Sequence, residues 1–345
     1  MSFPVSAGWL RPAQAGGAIQ PAGLGRELAL SGRPTLTVGV TYHNEGDALR
    51  RCLESLLSEA QRPDEILVYD DASTLPVAGH LPVGPIRVIR GEVRRGPGHG
   101  RNRLARESRS DYIHFHDADD DFLPGWCRAV RALLADGSPD AVFTEVRCLH
   151  EDGRITDRTV ELAQLERDPD LLRFCIRHPI ITISGTFRRE LFLRAGGYPE
   201  HLRLSEDYEF HIRLAALGAT YRVAPEPLVL YRRHPMNRSA DLVKVWSDAL
   251  EILASFDGKL PIGYRKDLAE AAADLGSRLY RAVGFPEARR GFALARRFGP
   301  PAWKDRPALY RWLAARFGQE AAEGIGRIYR GCLPAALRRQ ISGRG

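Results

Sequence analysis

From Leu36 onward, short apolar runs alternate with stretches that are apolar on one helical face. Leu36 to Thr41 is an apolar run of strand length, and Leu49, Leu53, Leu56 and Leu57 follow at helical spacing, with Asp47 placed to cap that helix. Ile66 to Tyr69 is a second buried-strand run ending at Asp70-Asp71, and Ile86 to Ile89 is a third. A turn built on Gly96, Pro97, Gly98 and Gly100 leads into a helix over Arg101 to Glu107. Tyr112 to His116 predicts a fourth strand, Pro124 opens a helix running through Leu134, and Ala141 to Val146 predicts a fifth strand. Strands and helices in this alternation predict an α/β fold whose mostly parallel sheet is flanked by helices on both faces. Ligands of such sheets bind at the carboxyl ends of the strands. The polar clusters fall there: 41–45, 70–71 and 117–121.

The second half is less regular. Ile180 to Ser184 reads as extended, and Arg188 to Ala195 as a helix stopped by Gly196-Gly197. Ser205 is placed to cap a helix over Glu206 to Leu217, and Leu228 to Tyr231 reads as extended. From about Ser239 the pattern is helical, interrupted near Pro286 and Pro300. Three regions follow: a loosely ordered Pro-, Gly- and Ala-rich arm over 1–33, an α/β domain over 34–255, and a helical C-terminal extension over 256–345.

Charge sharpens this division. The chain of 345 residues carries +7 overall, yet from Phe256 onward 18 Lys or Arg face 8 Asp or Glu. The basic excess therefore lies in the helical extension, and the α/β domain is slightly acidic. Solvated helix faces account for such a charge run, and contact with an anionic membrane surface is the functional alternative. No run reaches the roughly 18 apolar residues of a membrane span, and 1–33 lacks the pattern of a secretory signal. Five scattered cysteines without C-x-x-C spacing argue against a disulfide framework or zinc site and fit a cytoplasmic protein.

The chemistry concentrates in a few segments. His116-Asp117-Ala118-Asp119-Asp120-Asp121 follows an apolar strand directly. So many carboxylates repel one another, and Mn²⁺ or Mg²⁺, which take oxygen ligands and keep waters and substrate phosphates, would resolve the conflict. An acidic surface turn is the plain alternative. The Arg94–Asn102 segment sets cations and glycines before a helix, which suits phosphate binding. Glu206 and Asp207 fall in a first helical turn, where the helix dipole explains carboxylates and a general base is the functional reading. His234 can ligate a metal, bind phosphate or simply be a satisfied side chain.

In this order and spacing, the segments from about Thr37 to Ser239 resemble family 2 glycosyltransferases of the GT-A fold, the nucleotide-diphospho-sugar transferase architecture. The stretch ending Thr41-Tyr42-His43-Asn44-Glu45 is similar to that family's opening strand and donor loop. Glu65 to Thr74 is similar to its nucleoside-binding strand, Asp117-Ala118-Asp119-Asp120 to its metal motif, and Glu206-Asp207 to its acceptor-side base. Thr41 stands where the family often has proline, and His43 where tyrosine is frequent. The resemblance implies transfer of a sugar from a nucleotide-diphosphate donor, UDP-linked, to an acceptor hydroxyl with inversion, in polysaccharide or glycan biosynthesis. It implies substrate contacts from Thr41, Asn44, Glu45, Asp71 (in preference to Asp70), Arg101, Asp117 and Glu206, with Asp207 as catalytic base. The metal falls to Asp119 first, with Asp117 or Asp120 sharing it and His234 as a further candidate ligand, while Asp121 caps the next helix. The expected partners are a nucleotide-sugar and a glycan or lipid-linked acceptor, with no nucleic acid and with peripheral membrane contact through the basic helices. A sugar-nucleotide nucleotidyltransferase would need a glycine-rich basic loop after the first strand, where 41–46 stands instead. A non-catalytic sugar-binding protein would have no use for the carboxylates.

Overall fold

The computed structural model describes residues 32–157, 162–283, 285–300 and 307–332. Most of the expected N-terminal arm (1–31) and the last residues of the basic extension (333–345) lie outside them.

Contacts divide the chain into two compact units, 1–240 and 241–345. In the first, β1 (Leu36–Tyr42), β2 (Glu65–Asp70), β3 (Ile86–Arg90) and β4 (Tyr112–Asp117) are joined by α1 (Asp47–Leu57) and α2 (Pro97–Glu107). β5 (Asp121–Phe122), α3 (Trp126–Ala135), β6 (Ala141–Leu149) and β7 (Ile155–Asp157) follow. Then come α4 (Gln164–Arg167), α5 (Leu171–Arg177), β8 (Gly185–Arg188), α6 (Arg189–Arg194), α7 (Glu206–Ala216) and β9 (Tyr221–Arg232). The strands form a nine-stranded sheet in the order β3-β2-β1-β4-β8-β6-β9-β5, with β7 paired to β6. The first four strands are mutually parallel. β8 runs antiparallel to both β4 and β6, β6 and β9 are parallel, β5 pairs antiparallel with β9, and β7 pairs antiparallel with β6. The parallel half is the one expected from the sequence, and the other half makes the sheet mixed.

Several local expectations need correction. The 180–184 stretch is not a strand: Thr182–Ser184 forms a 3₁₀ turn, and the extended segment begins at Gly185. Asp47 is the first residue of α1, after Gly46 at the cap, and its carboxylate meets His80 Nδ1 at 3.0 Å. Ser205 adopts a left-handed conformation (φ 58°) and makes no capping bond, so the helix dipole is met by Glu206, Asp207 and Glu209.

One face of the sheet buries Leu36, Val38, Val40 and Tyr42 of β1 against Leu49, Cys52, Leu53 and Leu56 of α1 and the apolar face of α3. On the other face α2 comes very close. A Cβ at Gly39 would lie 3.2 Å from the Leu104 side chain, and one at Gly100 would strike the Tyr69 ring. Glycine at both positions lets α2 seat on the strands whose ends carry the polar residues. Beyond it, Phe115, Phe192, Tyr198 and Phe210 pack as a buried aromatic cluster, with ring centroids 4.9–5.6 Å apart. Cys52, Cys127, Cys148 and Cys175 are buried.

The second unit is helical: α8 (Leu242–Ser255), α9 (Arg265–Val283), α10 (Phe285–Phe298), α11 (Ala308–Phe317) and α12 (Gln319–Cys332). It begins at Asp241, so α8 groups with the later helices, whereas the sequence pattern places the boundary at 255. The Asp241 carboxylate caps α8 by accepting from Lys244 N–H. Gly276 and Gly291 let α9 and α10 approach closely. Gln319 ties α12 to α9 by donating to Ala273 O and Ser277 Oγ at 2.8 and 3.0 Å. Among the described residues, no helix is long and apolar enough to cross a membrane.

Candidate functional site

Parallel register brings the polar strand ends together. Thr41 lies beside Asp117 on one side and Tyr69 on the other, and Tyr42 lies beside Asp70. The Thr41 hydroxyl donates to Asp117 Oδ1 at 3.1 Å. Asp70 is fully buried; it accepts from Ser73 N–H at 2.8 Å and pairs with Arg90. Asp71 turns the other way, and its two oxygens accept the N–H groups of Arg95 and Gly96 at 2.8 and 2.7 Å. A carboxylate thus holds the entry to α2 where the glycine-rich turn predicted a phosphate. Asn44, at φ 68°, accepts through Oδ1 from Thr74 and Leu75 N–H, both at 2.9 Å, and so pins the donor-side loops to each other.

Arg101 occupies the centre. It projects from α2, is 3% exposed, and donates to Asp117 Oδ1 at 2.6 Å and to Glu206 Oε1 at 2.8 Å. Its guanidinium carbon lies 5.6 Å from the centroid of the Tyr198 ring. Burial alone would disfavour the charge, but Asp117 and Glu206 outweigh it and raise the Arg101 pKa above its ordinary value. Reciprocally, burial pushes the Asp117 carboxyl up, and the Arg101 guanidinium more than offsets this, leaving it below the usual range. Arg238 also approaches Glu206, at 3.4 Å.

The remaining acidic residues divide by environment. Burial, then the charge of Asp117, raises the Asp119 pKa, while His234 works against the rise. The Asp119 Oδ2 to His234 Nε2 distance is 3.0 Å, and Asn237 Nδ2 lies 3.3 Å from the same oxygen. Asp120 is 1% exposed; its Oδ1 accepts from Arg232 N–H at 2.8 Å and its Oδ2 has no hydrogen-bond partner among the described residues. Burial, then Asp119 and Asp117, holds Asp120 well above the carboxylate range. Glu45 stands at the rim of the site and accepts from His43 N–H. Desolvation by the atoms around its carboxyl, then Asp119 and Asp117, pushes Glu45 up to about 7. Asp121 does not cap a helix: it lies in β5 and pairs with Arg51 at 3.0 Å and with Arg232 at 2.5 Å.

Asp207 sits one residue beyond Glu206 in the first turn of α7, with Oδ2 accepting from Thr182 N–H at 3.1 Å. Asn102 anchors the preceding turn. It accepts Tyr198 N–H and donates to Tyr198 O, both at 2.8 Å. An open surface groove lies beside His234 between the β6–β7 turn (His150, Asp152, Arg154) and the segment after β9 (Arg233, Asn237).

The sequence reading missed Arg51, Arg232 and Arg238 as partners of the acidic residues. The apolar spacing of the α1 segment gave Arg51 the look of a solvated helix position, and its partner Asp121 is 70 residues away. Arg232 and Arg238 had a usable signal, since they flank His234 in a basic stretch.

Among the described residues, no three His, Cys, Asp or Glu side chains already converge on a common metal position. Asp119 and His234 are nonetheless an O,N pair of the kind a divalent cation accepts, and the crowding that raises Asp119 is the charge conflict a cation relieves. Mn²⁺ and Mg²⁺ commonly fill their remaining positions with water and substrate phosphate, so the donor set fits a site completed by the substrate.

Residues 37–193 match the Glycosyl transferase family 2 model. The succinoglycan biosynthesis protein ExoU of Rhizobium meliloti (strain 1021) is 31% identical over 201 residues, covering 53% of this chain and 58% of that protein. The chain therefore matches less than two thirds of that relative's length. Among solved structures, S. aureus TarS 1-349 in complex with UDP-GlcNAc superposes with a TM-score of 0.61 at 16% identity, covering 86% of this chain and 92% of that one. The mannosyltransferase PcManGT from Pyrobaculum calidifontis, in complex with GDP-Man and Mn2+, gives 0.55 at 22% identity and covers 87% of each chain. At such identities the likeness shows the fold, which is GT-A. The sheet, its carboxylate-bearing strand ends and the sequence match agree: residues 37–193 carry the Glycosyl transferase family 2 pattern on a GT-A fold.

Proposed function

We propose that this protein transfers a sugar from a nucleoside-diphosphate sugar, UDP-linked, to an acceptor hydroxyl with inversion at the anomeric carbon, in polysaccharide or glycan biosynthesis. One observation carries the reading: Arg101 joins Asp117, at the end of a donor-side strand, to Glu206 in the helical turn that also presents Asp207. Donor and acceptor machinery thereby share one buried ion. Thr41, Asn44, Glu45 and Asp71 shape the nucleoside side; Asp71 and Asn44 do so through the loops they hold. Asp119 and His234 would hold Mn²⁺ or Mg²⁺, with Asp120 behind them; a bound cation neutralises negative charge on the departing diphosphate. Asp207, oriented by Thr182, takes the proton of the attacking hydroxyl, and Glu206 fixes the turn on which it stands. The open groove beside His234 is where an acceptor would lie. Relatives and neighbours whose names include succinoglycan biosynthesis, UDP-GlcNAc and GDP-Man support both the activity class and the donor class. Because transferases that build polysaccharides often act on lipid-linked acceptors, peripheral membrane contact through the basic helices belongs to this reading.

A screen of nucleotide sugars for Mn²⁺-dependent binding and hydrolysis identifies the donor. With that donor, Asp207→Asn is expected to lose transfer by about 10² to 10⁴-fold while keeping donor affinity. Near-normal turnover in the folded variant removes Asp207 from the mechanism.

A further inference from the structure

The second unit exposes large apolar side chains in an unusual concentration. On α11 and α12, Leu309, Trp312, Phe317, Ile325 and Ile328 are 66%, 59%, 59%, 44% and 71% exposed. The two helices are already packed by other residues: Leu313 and Ala322 are buried, and Tyr310 donates to Glu323 at 3.0 Å. The exposed set is therefore apolar surface that the packing of the two helices on each other does not use. Leu309 and Trp312 stand three apart on α11, and Ile325 and Ile328 three apart on α12, so each pair shares a helix face. Trp312 and Phe317 meet edge to face at 5.8 Å.

Charge separates the occupants this surface could take. Arg311, Arg316 and Arg327 lie on the same two helices, are exposed, and have no ion-pair partner among the described residues. By contrast, Arg278, Arg289, Arg290 and Arg297 of α9 and α10 all have carboxylate partners. A second copy of the chain would bring the same unpaired arginines against one another. A nucleic acid would satisfy the arginines but leave Leu309, Ile325 and Ile328 with no apolar partner. A leaflet of anionic lipid satisfies both: acyl chains take the aliphatic side chains, the headgroup level takes Trp312, and lipid phosphates take the guanidiniums.

We propose that the outward faces of α11 and α12 form an interfacial docking surface for an anionic lipid bilayer. This deepens the functional reading above by naming the surface through which the transferase meets its membrane. It is tested on the full chain with vesicles of phosphatidylcholine alone and of phosphatidylcholine mixed with phosphatidylglycerol. The expected result is sedimentation with the mixed vesicles at low salt, accompanied by a blue shift of tryptophan emission. The double variant Trp312→Ser, Ile328→Ser is expected to lower partitioning by about tenfold or more with its circular dichroism unchanged. The triple variant Arg311→Gln, Arg316→Gln, Arg327→Gln is expected to lose the preference for anionic lipid. No sedimentation of the wild type overturns the proposal, as does a double variant that binds as the wild type does. A double variant that turns a dimer into a monomer without changing vesicle binding assigns the surface to self-association instead. The two readings fail separately: Asp207→Asn is expected to sediment normally, and the surface variants are expected to keep donor affinity.

Discussion

At the scale of single residues, the site depends on how each carboxylate is neutralised. Asp117 is neutralised by Arg101, Asp121 by Arg51 and Arg232, and Asp71 by backbone amides. Asp119 meets the side chains of His234 and Asn237, with no arginine or lysine paired to it among the described residues. Asp120 is buried behind it, so Asp119 is the one of the two that a cation can reach, and Asp119→Ala is expected to abolish the Mn²⁺-dependent part of donor binding. Titration calorimetry with and without Mn²⁺ checks this, and equal affinities in the variant and the wild type would remove Asp119 from the site. Arg101 is the opposite case, a cation whose loss takes the guanidinium from Asp117 and leaves Glu206 to the longer contact with Arg238. Arg101→Met is expected to cost about 3 kcal/mol of stability, read from the urea midpoint. Retained stability in that variant would show that the bridge is dispensable.

At the scale of elements, the strand–helix alternation and the polar strand ends were legible because apolar runs of strand length and helical spacing are local patterns. Register then does the rest, since parallel pairing sets Thr41 level with Asp117 and Tyr42 level with Asp70. The reversal at β8 was not legible. Gly185–Arg188 is a four-residue strand, and its direction is decided by which neighbours it pairs with, not by its own composition. The same holds for Asp121: its neighbours in sequence suggest a cap, while its partners come from α1 and β9. The Gly196-Gly197 turn was read as a helix stop. Its further role, seating Tyr198 on Asn102, depends on side chains about a hundred positions apart. Gly197 has φ 65°, and a Cβ there would collide with Asn102 Oδ1. Gly197→Ala is expected to destabilise the protein by about 1–3 kcal/mol and to loosen the turn ahead of α7. A thermal melt within a degree of the wild type would contradict this.

For the whole molecule, the acid limit is set in part by a buried imidazole. His211 packs against the rings of Phe143 and Phe187, and burial pushes its pKa down to about 3. In the unfolded chain it titrates near 6.5, so between these values the unfolded state binds a proton that the folded state refuses. The resulting stability is complete above about pH 6.5 and is lost as the pH falls through the window. His211→Phe removes the linkage. The stability of the wild type relative to the variant should therefore fall by at most about 1.4 kcal/mol per pH unit on acidification below 6.5. Urea titrations of both proteins at pH 7 and pH 5 test the sign; a constant difference would mean that His211 is not the group involved.

The Arg101 bridge has a practical corollary for anyone trimming this chain. Its first carboxylate, Asp117, lies inside the segment that matches the family model; its second, Glu206, lies past the end of that segment. A fragment cut at residue 193 would keep the strands and the acidic run, yet leave a guanidinium facing the space that Glu206 fills. Such a fragment should express poorly or swell, whereas one carried past β9 through Arg238 retains the partners of Asp117, Asp119, Asp121 and Glu206. Fragment boundaries are thus better drawn by following ion pairs than by following sequence similarity.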